Sequence, residues 1–181
     1  MNVGLFGGSF NPPHVAHLLA VSYVLATQPL DKVLVVPTFG HPLGKRLTPF
    51  SHRLAMCERA FRDLRRVEVC DLESRLGETS RTLYTLRALQ AEHPSWRLRL
   101  IVGADILDER DRWFGWDEIV ELAPPIVVGR QGFEHPEAPF PLLPALASRD
   151  LRAKIQRGDD VSELLPREVL GYIQASGLYT G

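Results

Sequence analysis

The chain has 181 residues and nearly balanced charge, 21 lysines and arginines against 22 acids for a formal net of −1, so it lacks a global field that would draw nucleic acid or an anionic membrane. No apolar stretch approaches the roughly 18 residues needed to cross a bilayer, and no basic-then-apolar leader opens the chain. With Cys57 and Cys70 as its only cysteines, it reads as one domain spanning residues 1–181, cytoplasmic and with free thiols.

Five short apolar runs, at 3–6, 32–37, 66–70, 97–102 and 125–128, alternate with helix-patterned segments. Continuous β-branched runs of this kind read as parallel strands buried on both faces. They predict an α/β fold, a doubly wound Rossmann-like parallel sheet with helices on both faces. Helices are predicted at 15–27, 51–63, 80–92, 116–122 and 149–157, the second capped by Ser51. A last helix follows Pro166, a residue suited to a first helical position, within a C-terminal helical part at 146–181. The proline-rich stretch 132–144 reads as an ordered loop or short edge strand.

The first strand runs into GLFGGSFNPPHVAHLLA, residues 4–20. Ligands of doubly wound sheets sit beyond the carboxyl ends of the strands, where this turn lies. Gly7 and Gly8 allow positive φ and close approach of a ligand to the backbone, with amides of the turn and of the next helix start available to phosphate. The spacing is neither the dinucleotide fingerprint nor a P-loop. His14 and His17, three apart, share a helix face and can each donate to a phosphate oxygen; capping or packing is the alternative. No third ligand for zinc is evident, and no residue is assigned to a metal.

Lys45, Arg46, His52 and Arg53 follow the second strand, either as solvated surface or as grips for phosphate or carboxylate. ETSRTLYTL, residues 78–86, reads as a capped amphipathic helix. IVGADILDERDRWFGWDEIVEL, residues 101–122, sets Gly103 and Asp105 just past the fourth strand. A carboxylate there can accept ribose hydroxyls or hold a hydrated Mg2+. Trp113 and Trp116, three apart, can stack on a flat ring or pack in a helix core.

GGSFNPPHVAH resembles the signature of the nucleotidyltransferase superfamily, a glycine-rich turn followed by (H/T)-x-G-H, in the form carried by its nicotinate mononucleotide adenylyltransferase branch. Ala16 stands at the signature's last glycine. Pro37, Pro42, Lys45, His52, Arg53 and Met56 resemble the family's next motif, from which Leu43 and Gly44 depart. Ser80, Thr82, Thr85 and Leu86 resemble P-S-Y-T-x-x-T-L, with Arg81 for tyrosine. Gly103, Asp105, Trp113 and Trp116 are similar to G-x-D followed by W-x-x-W, and Arg130 matches an arginine after the fifth strand. Ser148 and Arg152 match I-S-S-T-x-x-R, in which Ala147 and Arg149 depart.

The resemblance implies an adenine nucleotide alpha-hydrolase-like nucleotidyltransferase fold and transfer of AMP from ATP to nicotinate mononucleotide, with Mg2+ carried by the ATP phosphates. It implies catalytic roles for His14, His17 and Lys45. It assigns ATP to Gly7, Gly8, Ser9, Phe10, His14, His17, Gly103, Asp105, Ser148, Arg149 and Arg152. It assigns the mononucleotide to Lys45, Arg53, Ser80, Thr82, Asp105, Arg130 and Trp113, the last stacking on the pyridine. The partners implied are ATP and a pyridine mononucleotide, with neither nucleic acid nor membrane, and homo-oligomerisation left open. Because the departures fall in ligand-facing motifs, two alternatives stand: transfer to another phosphorylated metabolite such as nicotinamide mononucleotide, and a non-catalytic nucleotide-binding regulator.

Overall fold

A computed structural model describes residues 1–40, 47–77, 81–133, 135, 136, 138 and 142–180. Strands β1 (Asn2–Gly8), β2 (Lys32–Pro37), β3 (Val67–Val69), β4 (Arg97–Gly103) and β5 (Pro125–Val128) form one parallel sheet ordered β3-β2-β1-β4-β5. The order reverses between β1 and β4, so their carboxyl ends flank the crevice that such sheets use for ligands. Around the sheet lie α1 (Val15–Thr27), α2 (Phe50–Phe61), α3 (Leu72–Leu76), α4 (Thr82–Glu92), α5 (Trp116–Leu122), α6 (Ser148–Arg157) and α7 (Arg167–Ala175).

The continuous apolar runs of the strands resolve by alternation into two cores. Phe6, Val33, Val35, Ile101 and Val128 pack with residues of α1, α2, α6 and α7. Leu5, Leu34, Val36, Leu100 and Val102 pack with α3, α4 and α5 on the other face. Successive side chains point to opposite sides of a strand, so a run that is apolar at every position has two layers to serve. Each large aliphatic or aromatic side chain buried this way contributes roughly 1.5–3 kcal/mol.

Several boundaries differ from the expectation. α2 starts at Phe50 with Pro49 in the cap position, because the Pro49 carbonyl takes the amides of His52 and Arg53 while Ser51 lies inside the helix. α3 spans five residues, too short to show a helical period, and a 3-10 segment fills Ala104–Arg112 where only a connection was expected. Gly7 and Gly8 belong to β1, and neither has positive φ. The reversal falls on Phe10, at φ 45°, whose ring is 1% exposed and packs edge-on against Phe6 and Phe61. Burial of that ring holds a residue with a Cβ in the left-handed region, which is otherwise costly.

In the segment after β5, Arg130 bridges to Phe133 and to Leu143, giving an ordered loop among the described residues. Cys57 is buried, Cys70 partly so, and both thiols are free. No described helix is long and apolar enough to cross a membrane.

Candidate active site

A cleft of about 480 Å³ opens where the strand order reverses. Gly7 and Ser9 at the end of β1 form one side, His14, Ala16 and His17 at the start of α1 another. Gly103 and Asp105 after β4, Arg130 after β5, and Ser148, Arg149 and Arg152 of α6 complete it. A Cβ at Gly7 would meet nothing within 4 Å, so this glycine leaves open space toward a ligand.

The turn between β1 and α1 is held from behind by its carbonyls. Arg53 Nη1 donates to the Ser9 carbonyl (3.0 Å), Arg152 Nη1 to that of Asn11 (2.7 Å), and the Ser148 hydroxyl to that of Pro12 (3.0 Å). The Tyr179 hydroxyl, from the far end of the chain, donates to Asn11 Oδ1 at 2.7 Å. Among the described residues the amides of Ser9, Phe10 and Asn11 have no acceptor. A turn whose carbonyls are tied back and whose amides are unspent is a concavity suited to an anion.

At α1 the expected supply of free amides is smaller than the sequence suggests. The Val15 N–H donates to the Leu164 carbonyl and that of His17 to His14, which leaves Ala16. At α6 the first pairings are made by Asp150 and Leu151 onto the Ala147 carbonyl, which leaves the amides of Ser148 and Arg149. Two helix starts therefore bring positive ends to one cleft, joined by the side chains of Arg149 and Arg152.

His14 caps α1 and His17 is the third residue of that helix. Their rings stack with centroids 3.7 Å apart, and His17 Nδ1 accepts the His14 backbone N–H at 3.1 Å. An accepting Nδ1 places the His17 proton on Nε2, so that edge is the donor. Phe10 braces the same ring edge-on at 4.9 Å. Burial, with the Arg130 charge behind it, pushes the His14 imidazole down to about 4. Burial, then His14, then Arg130 hold His17 well below the ordinary histidine range. Both rings are thus neutral at pH 7. His14 Nδ1 is buried without a protein partner, which is what a polar ligand site leaves in the free protein.

Asp105 Oδ2 accepts from Arg130 Nη1 at 2.6 Å, and Arg130 Nη2 donates to the Leu146 carbonyl at 3.1 Å. A Cβ at Gly103 would collide with the Asp105 carboxylate, so glycine there is what lets the acid fold back over the strand end. Asp105 is the only acid among the described residues lining the cleft, and no group of three His, Cys, Asp or Glu among them could hold a metal ion.

The structure separates other expected site residues from the cleft. Arg53 is 1% exposed and spends its donors on the carbonyls of Thr48, Ser9, Thr38 and Phe39. Four of its five N–H groups serve these carbonyls, so in the free protein it braces the turn from within instead of facing the cleft. Phe10 likewise turns its side chain into the core, and Gly8 sits against the Phe10 ring, where a Cβ would lie 3.2 Å from it. Thr82 opens α4, away from the cleft. Trp113 stands at the far end of the 3-10 segment, where it meets Trp116 edge-on at 5.7 Å beside an open depression of about 710 Å³. Lys45 and Ser80, with the departure at Gly44, lie outside the described residues. The departures Ala16, Ala147 and Arg149 all line the cleft. Asn11 and Tyr179 went unassigned in the sequence, and no local pattern there distinguishes them from packing residues.

A sequence profile of the cytidylyltransferase-like family matches residues 5–162. A probable nicotinate-nucleotide adenylyltransferase of Anaeromyxobacter sp. (strain K) is 51% identical over 183 residues, covering 99% of this chain and 97% of its own. One from Myxococcus xanthus is 39% identical over 180 residues, covering 99% and 95%. The structure of Plasmodium falciparum nicotinic acid mononucleotide adenylyltransferase complexed with NaAD superposes with a TM-score of 0.84 at 21% identity, covering 98% of this chain and 97% of that one. At that identity the likeness speaks for the fold.

Proposed function

The chain belongs to the cytidylyltransferase-like family, and from that premise we propose that it is an adenylyltransferase that joins ATP to nicotinate mononucleotide, releasing pyrophosphate, in the synthesis of NAD. The observation that carries this reading is the convergence of the stacked His14–His17 pair, the carbonyl-tied turn and the start of α6 on one cleft at the strand-order reversal. These groups suit a triphosphate. Full-length relatives at 51% and 39% identity that bear the nicotinate-nucleotide adenylyltransferase name support the acceptor.

In this reading the mononucleotide's phosphate oxygen attacks the α-phosphorus of ATP, a new P–O bond forms, and the bond to the bridging oxygen of the β-phosphate breaks. The leaving pyrophosphate carries off the electron pair. No covalent enzyme intermediate is required, so the protein supplies position and charge stabilisation. His17 Nε2–H donates to a phosphate oxygen, and the Ser148 and Arg149 amides with Arg149 and Arg152 hold the β and γ phosphates. Asp105 meets a ribose once Arg130 turns from it to a phosphate or carboxylate. Trp113 stacks on the pyridine, Thr82 and Ser80 serve the mononucleotide, and Lys45 serves as a catalytic cation for phosphate. Mg2+ arrives as part of the ATP substrate, since among the described residues the cleft offers one acid, Asp105, and no group of three His, Cys, Asp or Glu that could hold the ion. A cytoplasmic setting, a single domain and small-molecule partners complete the proposal.

The test is pyrophosphate release by the purified protein with ATP and Mg2+, offered nicotinate mononucleotide or nicotinamide mononucleotide separately. Preferential turnover of the first is expected. Turnover of the second alone moves the acceptor; ATP binding without release from either makes the protein a nucleotide-binding regulator.

A further inference from the structure

Behind the cleft, three buried polar side chains form one continuous hydrogen-bonded path. Glu73 of α3 is 7% exposed and accepts the Phe39 N–H at 2.9 Å through Oε2 and the Thr85 hydroxyl at 3.0 Å through Oε1. The Phe39 carbonyl accepts from Arg53 Nη2 at 3.1 Å. Nη1 of that same guanidinium holds the carbonyls of Thr38, at 2.6 Å, and Ser9, at 3.0 Å. The path therefore starts at the turn beneath the nucleotide cleft, crosses the chain that leaves β2, and ends in the first turn of α4.

Burying a carboxylate is expensive, and a leucine beside Leu72 would extend the apolar core at no such cost. Burial raises the Glu73 carboxyl, while the Phe39 amide, the Thr85 hydroxyl and the Arg53 charge pull it back. What the carboxylate supplies that an apolar side chain cannot is two directed acceptors facing two different segments. One segment leads into the loop after β2; the other, at Thr85, sits over the α4 start that carries Arg81 and Thr82.

Resting on the function proposed above, we propose that Glu73 is a positioning residue for the acceptor, fixing the start of α4 against the chain leaving β2. The mononucleotide then docks in register with an ATP held over the β1–α1 turn. Glu73 lines neither the cleft nor the tryptophan depression, so its influence passes through Phe39 and Thr85. ATP, held by the turn and by α6, depends on the other end of the path, which Arg53 secures independently.

The experiment is steady-state kinetics with ATP and nicotinate mononucleotide for Glu73→Ala, Glu73→Gln and Thr85→Val, with thermal unfolding measured alongside. Losing a hydrogen-bonded buried charge predicts that Glu73→Ala raises the mononucleotide KM by about tenfold and the ATP KM by less than about twofold. Glu73→Gln keeps an oxygen for the Phe39 N–H, while the Thr85 hydroxyl turns to the Arg81 carbonyl, already 3.3 Å away; it should restore most of the mononucleotide KM. Equal rises in both KM values, or a lower melting temperature with neither KM moved, would overturn the assignment. Where Glu73→Ala does not fold, Thr85→Val reads the same link from its other end, a selective rise supporting it and an unchanged KM overturning it. Wild type without turnover overturns the function and this assignment together. Turnover in wild type with the mononucleotide KM unmoved in the variants overturns this assignment alone.

Discussion

Acid should destabilise this protein through His14, and the site sets the size of the effect. The imidazole is 4% exposed, its Nδ1 has no protein partner, and burial followed by the Arg130 charge lowers its pKa from 6.5 to about 4. Between those values the unfolded chain binds the proton and the folded chain does not. Stability is therefore intact above about pH 6.5 and falls as pH drops toward 4. The whole shift corresponds to on the order of 3 kcal/mol, of which about 2 kcal/mol is lost by about pH 5. Carboxylates titrate in the same range, so the informative quantity is a difference between two proteins. Urea unfolding of wild type and His14→Gln at about pH 7.5 and about pH 5 should show the stability gap shift by about 2 kcal/mol in favour of the variant at the lower pH. A gap that stays constant would refute the claim that the folded protein holds this ring neutral. A bound triphosphate should reverse the balance, because negative charge beside the imidazole favours its protonated form. ATP binding at about pH 5.5 should then take up protons, seen calorimetrically as a heat that varies with the buffer's ionisation enthalpy.

His17→Ala should lower turnover by about 10²- to 10³-fold, the typical loss of one preorganised donor; unchanged single-turnover rates would remove His17 from the chemistry. Trp113→Ala should weaken the pyridine mononucleotide by about 1–3 kcal/mol, the scale of base stacking, and ATP much less. Equal weakening of both in direct titrations would make Trp113 a packing residue for Trp116. Gly103→Ala should displace the Asp105 carboxylate, where the new Cβ must go, and raise the KM for ATP with little change in melting temperature. A KM left at the wild-type value would detach Asp105 from nucleotide binding.

The elements of the fold are legible in the sequence because their signals are local. Five apolar runs and the helical patterns between them place every strand and most helices, and the strands' continuity already requires a covered sheet. The exceptions have local causes too: α3 is shorter than the pattern that would reveal it, and Pro49 supplies the cap for which Ser51 looked suited. The segments that meet at the cleft are legible too, because GGSFNPPHVAH, Gly103, Asp105 and the α6 start are contiguous motifs at strand ends and helix starts. The structure brings these together in one cleft.

By itself, then, the sequence determined the α/β class, the strands and most of the helices, the family and the segments that meet at the cleft. Only the tertiary structure decided what individual side chains do there. Arg53 reads as a free cation until the carbonyls of Ser9, Thr38, Phe39 and Thr48 are seen around it. Tyr179 reads as packing until its hydroxyl reaches Asn11, 168 positions away. His14 and His17 read as a donor pair on one helix face, and only the fold shows that burial and the Arg130 charge lower both pKa values. Helix and strand periods are written in neighbouring residues, whereas hydrogen-bond saturation and desolvation depend on which distant groups the folded chain encloses in one low-dielectric volume.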